Sequence, residues 1–86
     1  MPKSYQIRFT REAVKDVQKL PPKLKAKLKV ILEQVIAVNP AAGKALVGDL
    51  TGFLSYRLTL RDRIVYTVSE SEHTVYIHLT RTHYGE

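Results

Sequence analysis

Leu54-Ser55-Tyr56-Arg57-Leu58-Thr59-Leu60-Arg61-Asp62-Arg63-Ile64-Val65-Tyr66-Thr67-Val68 is the stretch on which the fold turns. Its first half alternates: Leu54, Tyr56, Leu58 and Leu60 interleave with Ser55, Arg57, Thr59 and Arg61, the pattern of a strand with one apolar and one cationic face. Asp62 marks a tight turn. The next run, Ile64-Val65-Tyr66-Thr67-Val68, is apolar on both faces at several positions, as a central strand is. Ser69 to His73 is a polar turn, and Val75, Ile77 and Leu79 lead a final strand. Turns this short join antiparallel neighbours, so the C-terminal half reads as a three-stranded meander.

Upstream, residues 39–53 form a loop punctuated by Pro40, Gly43, Gly48 and Gly52. Gly43-Lys44 and Gly48 invite a phosphate-loop reading, but the Walker order of Gly, four residues and Gly-Lys-Ser/Thr is absent, which argues against nucleotide hydrolysis. Further back, Leu24, Leu28, Ile31, Val35 and Val38 make an apolar stripe over about four helical turns, opened by Pro22 and closed before Asn39-Pro40. Ala13, Val14, Val17 and Leu20 predict a shorter helix over residues 11–20, with Thr10 as its N-cap and Glu12 in its first turn. Pro21-Pro22 separates the two, giving a helical hairpin. Tyr5, Ile7 and Phe9 alternate with Gln6 and Arg8 as a half-buried first strand. The order is therefore β-α-α-β-β-β. The fold class is α+β, an antiparallel sheet with an N-terminal helical hairpin packed on one face.

The 86 residues make one domain, 1–86, whose size leaves a thin core and no deep cofactor cavity. There is no cysteine, which excludes disulfides and thiolate metal sites and fits a reducing compartment. Neither a signal peptide nor a stretch of transmembrane length is visible, so the expectation is a soluble intracellular protein without a membrane partner. The net charge of +6 points to a polyanionic partner. Its distribution strengthens that reading: Lys19, Lys23, Lys25, Lys27 and Lys29 crowd one segment with no intervening acid. They flank the Leu24-Leu28-Ile31 stripe and stay exposed once it packs.

Near the C-terminus stand Arg81, His83 and Tyr84, residue types that suit metal-free RNA cleavage. Arginine holds a phosphate with its planar fork, histidine moves a proton near neutral pH, and tyrosine stacks on a base or donates a hydrogen bond. Strict alternation from Val75, Ile77 and Leu79 would bury Arg81 and His83 in the core, so the strand must end or bend near Thr80. The other histidines look ordinary: His73 solvated in its acidic turn, His78 at the surface or hydrogen-bonded. No histidine and carboxylate spacing suggests zinc, and neither metal nor cofactor is expected. Tyr5 and Tyr66 read as core or sheet-face residues; Tyr56 reads as core before RNA-stacking.

The segments Leu50-Thr51-Gly52-Phe53-Leu54-Ser55-Tyr56-Arg57-Leu58-Thr59, Asp62-Arg63-Ile64-Val65-Tyr66-Thr67-Val68 and Arg81-Thr82-His83-Tyr84 resemble the RelE/ParE toxin superfamily, and within it most the YoeB/Txe branch of bacterial mRNA interferases. The resemblance spans the whole chain in element order and is sharpest over 50–68 and the His-Tyr tail. It implies a RelE-like fold and a cytoplasmic, ribosome-associated endoribonuclease that cleaves mRNA and is neutralised by a cognate antitoxin. Residue by residue, Arg63 matches the arginine that binds the scissile phosphate, His83 the general acid, and Tyr84 the tyrosine that orients substrate. Arg57 and Arg81 match basic positions that touch RNA backbone; Arg61, Lys19, Lys23 and Lys27 extend the basic surface. Where that branch carries a glutamate base, this chain has Lys44, and Asp49 is the nearest carboxylate. A lysine serves as base only where its surroundings disfavour its charge. Otherwise the ribosome or positioning of the 2′-hydroxyl takes over the role.

Fold alone does not select the activity. Three readings are open: a ribosome-dependent mRNA endonuclease, a ParE-like toxin that binds DNA gyrase without cleaving RNA, and a plain RNA-binding module. His83, Tyr84 and Arg63 favour the first, since neither alternative needs them. The expected partners are the ribosome with its mRNA and an acidic, partly disordered antitoxin; the resemblance also implies a homodimer.

Overall fold

The computed structural model describes residues 4–60 and 62–79. A polar cue opens its first helix. The Thr10 hydroxyl accepts the Ala13 amide at 3.2 Å, satisfying one of the amides that a helix start leaves unpaired. Helix α1 runs Arg11–Gln18, two residues shorter than its apolar spacing predicts. Helix α2 runs Pro22–Ile31, with Pro22 in its first turn as expected.

The apolar stripe of α2 does not continue in phase. At Leu32–Ile36 the chain widens into a π turn, in which the Ala37 amide reaches back to the Leu32 carbonyl at 2.8 Å. Leu32 is buried one regular turn after Leu28, and the extra residue of the π turn rotates the side chains that follow, so Ile36 and Ala37 are buried while Val38 is exposed. Val14 on α1 is likewise exposed; the inward face of that helix is Ala13, Val17 and Leu20.

Among the described residues five strands take the order β1-β5-β4-β3-β2: β1 Gln6–Phe9, β2 Lys44–Ala45, β3 Leu54–Arg57, β4 Arg63–Ser69 and β5 Thr74–Leu79. The meander β3-β4-β5 is antiparallel as the short turns require. Two features go beyond the sequence reading. The first strand returns to the far edge and pairs with β5 in parallel, Ile7 opposite Val75 and Phe9 opposite Ile77, which makes the sheet mixed. The glycine-rich loop contains a strand of its own, β2, with Lys44 opposite Ser55 and Ala45 opposite Leu54.

Both helices lie on one face of this sheet. Ala13, Leu20, Leu28, Ile31, Leu32 and Ile36 pack against Leu58, Ile64, Tyr66, Val75 and Ile77 in a single core. Each fully buried aliphatic side chain contributes about 1.5–3 kcal/mol, which is why the central strand β4 is apolar where it meets the helices. Strand β3 is shorter than the alternation over 54–61 implies. It ends at Arg57 because the chain turns at once: the Leu58 and Thr59 amides both bond the Asp62 carbonyl, at 2.8 and 3.0 Å. Leu58 still points inward, 1% exposed, whereas Leu60 rides the turn at 90% exposure.

Candidate nucleic-acid interface

Antiparallel register decides which cations share a face. In β3, Leu54 and Tyr56 pack towards the core, so Ser55 and Arg57 face the other way. Arg63 stands directly opposite Arg57, and Lys44 directly opposite Ser55. Residues paired across an antiparallel ladder point to the same side, which places Lys44, Arg57 and Arg63 on one face of three adjacent strands. The turn between β3 and β4 keeps this arrangement tight. The Thr59 hydroxyl donates to the Asp62 carboxylate at 3.1 Å and accepts the Asp62 amide at 2.9 Å.

Beside these strands a shallow recess of about 560 Å³ opens at the β2–β3 margin. Lys27 of α2, Lys44 of β2 and Arg57 of β3 contribute three cations to its wall, with Tyr56, Ser55 and Thr59 between them and no acidic side chain among the described residues of its lining. Three elements far apart in sequence therefore converge on one cationic groove. The lysines of α2 divide around the buried stripe: Lys27 joins this recess, while Lys25 and Lys29, with Glu33, rim a separate apolar groove of about 210 Å³ floored by Ile7, Phe9, Val17, Leu28 and Leu32. Lys19 and Lys23 are exposed at the α1–α2 junction and do not line the recess. Asp49 sits in an exposed 3₁₀ turn, Gly48–Leu50, also outside it. Arg61, Arg81, His83 and Tyr84 lie outside the described residues.

Sequence reasoning passed over what holds Lys44 in place. Tyr66, fully buried on β4, donates its hydroxyl to the Pro40 carbonyl at 2.6 Å and accepts the Gly43 amide at 2.9 Å. Burial pushes its pKa up, so the hydroxyl stays neutral and able to donate. The one available signal was a phenol in a core strand, since a buried tyrosine hydroxyl usually finds a partner. Tyr56, read as core, does both jobs: it packs on the core cluster and lines the recess.

His73 and His78 both make contacts within the fold. His78 shares a 2.8 Å hydrogen bond with the Thr67 hydroxyl and meets Phe53 edge to face, and burial lowers its pKa. His73 is not simply solvated. Its ring stacks on Tyr5 at 3.8 Å between centroids, and it adopts the left-handed conformation at φ 54° that lets the turn close. Tyr5 in turn donates to the Glu70 carboxylate at 2.6 Å, which raises the phenol's pKa.

Comparison with known proteins agrees with this architecture. Residues 7–85 match the family model for the ParE-like toxin of type II bacterial toxin–antitoxin systems. Among solved structures, the chain is similar to the toxin–antitoxin complex RelBE2 of Mycobacterium tuberculosis, with 30% identity, a TM-score of 0.81 and coverage of 92% of this chain and 99% of that one. It is also similar to a YoeB/ParE toxin of Agrobacterium tumefaciens, at 27% identity and TM-score 0.81 over 92% and 99% of the two chains. The YoeB dimer of Staphylococcus aureus shares 29% identity at a TM-score of 0.77 over 94% and 99%. No curated protein sequence matches. With the family model covering nearly all of it and relatives of the same length sharing its fold, the chain belongs to the ParE-like toxins of type II bacterial toxin–antitoxin systems.

Proposed function

We propose that the chain is a ribosome-dependent mRNA endonuclease of the bacterial cytoplasm, and that the recess formed by Lys27, Lys44 and Arg57, with Arg63 beside it, grips the RNA backbone. The observation that carries this reading is the convergence of three cations from α2, β2 and β3 on one groove without an acid among the described residues of its lining. A surface that merely kept a small protein soluble would have no need to gather them.

In the proposed reaction the 2′-oxygen attacks the adjacent phosphorus and the bond to the 5′-oxygen breaks, leaving a 2′,3′-cyclic phosphate and a 5′-hydroxyl. Arg63 and Arg57 hold the phosphate and offset the charge that builds on it in the transition state. The proton leaving the 2′-hydroxyl passes to a base supplied by Lys44 or by the ribosome. His83 donates the proton to the leaving 5′-oxygen, and Tyr84 orients the base or phosphate beside it. Arg61 and Arg81 contact flanking backbone, and Lys19 and Lys23 extend the basic surface towards ribosomal RNA. No step requires a metal or cofactor. Single-turnover cleavage of ribosome-bound mRNA tests the assignment: His83→Gln should lose about 10²–10⁴-fold in rate while remaining folded.

The controlling partner is an acidic antitoxin. Toxin–antitoxin complexes are among the structures this chain is similar to, and its charge of +6 calls for a negative partner. The apolar groove that Phe9 helps line, with Lys25 and Lys29 at its rim beside Glu33, offers an amphipathic acidic segment both apolar and ionic contacts. Self-association is proposed on the likeness to the Staphylococcus aureus YoeB dimer.

A second reading is kept alive by the family model, which is that of the ParE-like toxins. On that reading the chain binds DNA gyrase and cleaves nothing. Inhibition of gyrase-catalysed supercoiling by the purified chain, with mRNA left intact on ribosomes, would favour it.

A further inference from the structure

We infer that Tyr66 is a positioning residue for Lys44: its buried hydroxyl, bonded at once to the Pro40 carbonyl and the Gly43 amide, holds β2 where Lys44 reaches the cationic recess. The inference rests on the proposal that this recess is an RNA groove.

Strand β2 is poorly equipped to hold itself. It has two residues, lies at the sheet edge, and both Lys44 and Ala45 are exposed. Beyond its short ladder with β3, it gains the Leu46 amide bond to the Phe53 carbonyl at 2.9 Å. The buried anchor comes from the other end. Tyr66 reaches from the central strand and ties down both Pro40, itself buried, and Gly43, the residue immediately before Lys44. The approach is close enough to dictate a residue type: a Cβ on Gly43 would lie 2.2 Å from the Tyr66 oxygen and 3.0 Å from the Ser55 carbonyl oxygen.

Packing does not account for the hydroxyl. Tyr66 sits between Ile64 and Val68 on the core side of β4, where a phenylalanine would fill almost the same volume with no polar atom to desolvate. Each of its two hydrogen bonds contributes something to stability, and what the pair fixes together is local structure. That structure is the backbone that ends in Lys44. Groups that act on a substrate must be held to about 0.5 Å, and an exposed edge strand of two residues does not reach that by itself.

The test combines hydrogen exchange with a double-mutant cycle, using Tyr66→Phe, Lys44→Met and the double variant. In Tyr66→Phe the amides of Gly43, Lys44 and Ala45 should exchange faster while those of β4 and β5 keep their protection. Binding of a fluorescent single-stranded RNA oligonucleotide should weaken in Tyr66→Phe, and the salt slope should fall towards that of Lys44→Met, which loses about one unit for one phosphate contact. In the Lys44→Met background the same Tyr66→Phe change should have no further effect, because there is no longer a lysine to place. A merely structural role would weaken binding equally in both backgrounds, and that additivity would overturn the inference, as would unchanged exchange at Gly43. If Lys44→Met binds RNA like the parent, the groove reading fails at Lys44 and takes the inference with it. If Lys44→Met weakens binding and Tyr66→Phe does not, only the inference falls. Gly43→Ala, which pushes on the same contact from the loop side, provides an independent variant with the same expected pattern.

Discussion

Arg57 and Arg63 stand directly opposite each other across β3 and β4, two cations on one face of an antiparallel pair. Like charges placed so are destabilising by about 0.2–1 kcal/mol, equivalent to about 1–8 °C in the melting temperature of a domain this size. An anion between them would reverse the sign of that term. Arg57→Gln should therefore melt slightly higher than the parent in phosphate-free buffer. Inorganic phosphate should raise the melting temperature of the parent and do so less for Arg57→Gln. Thermal unfolding with and without phosphate checks both, and equal phosphate responses would remove the pair as an anion clamp.

The two sides of α2 should behave as different surfaces. Lys27→Glu, in the cationic recess, should weaken RNA binding and flatten its salt dependence, and combining it with Lys23→Glu should deepen the effect. Lys25→Glu, at the rim of the apolar groove, should leave RNA binding closer to that of the parent and weaken capture by an acidic antitoxin instead. Fluorescence titrations over a range of salt concentrations separate the two. Equal losses of RNA binding at Lys25 and Lys27 would return the lysines to an undivided basic face.

Gly43→Ala should destabilise the fold by about 1–3 kcal/mol, the usual cost of forcing extra volume into a packed site. The added methyl would meet the Tyr66 hydroxyl and the Ser55 backbone together. Gly48→Ala has open space around it but a φ of 70°, so its cost should be smaller and come from backbone strain alone. Chemical denaturation of both variants gives the ranking.

His78 links stability to pH. Burial holds its folded-state pKa below the ordinary value of 6.5, so the unfolded chain takes up the proton more readily. This contribution is fully present above pH about 6.5 and is lost as pH falls below it towards the folded-state pKa. His78→Gln, which keeps a side chain able to bond Thr67, should flatten the decline in melting temperature between neutral and mildly acidic pH. A decline as steep as the parent's would mean that another group titrates there.

The hairpin around Asp62, the helical pair and the helix-covered sheet face were legible because each rests on local alternation, helical spacing or a short turn. The parallel seat of β1 beside β5 was not, since nothing in residues 6–9 encodes which distant edge they join. The π turn escaped because an apolar residue occurs at nearly every phase between Leu28 and Val38. At the site, Arg57 and Arg63 emerge from alternation about one turn, and Lys27 from the lysine run. Lys44 was placed only by family resemblance, for a two-residue strand inside a glycine-rich loop has no periodicity to read. Tyr66's bonds to Pro40 and Gly43 span more than twenty residues of sequence, which no local pattern reports.

The central claim is that this chain cuts mRNA on the ribosome with the cationic recess around the scissile phosphate. Mapping RNA ends after mixing the purified chain with ribosomes programmed with a defined mRNA addresses it most directly. The account predicts breaks within the codon in the ribosomal decoding site, with 5′-hydroxyl and 2′,3′-cyclic phosphate ends, strongly reduced by Arg63→Lys, which keeps the charge but loses the bidentate fork. Intact mRNA with the parent protein, or undiminished cleavage by Arg63→Lys, would contradict it.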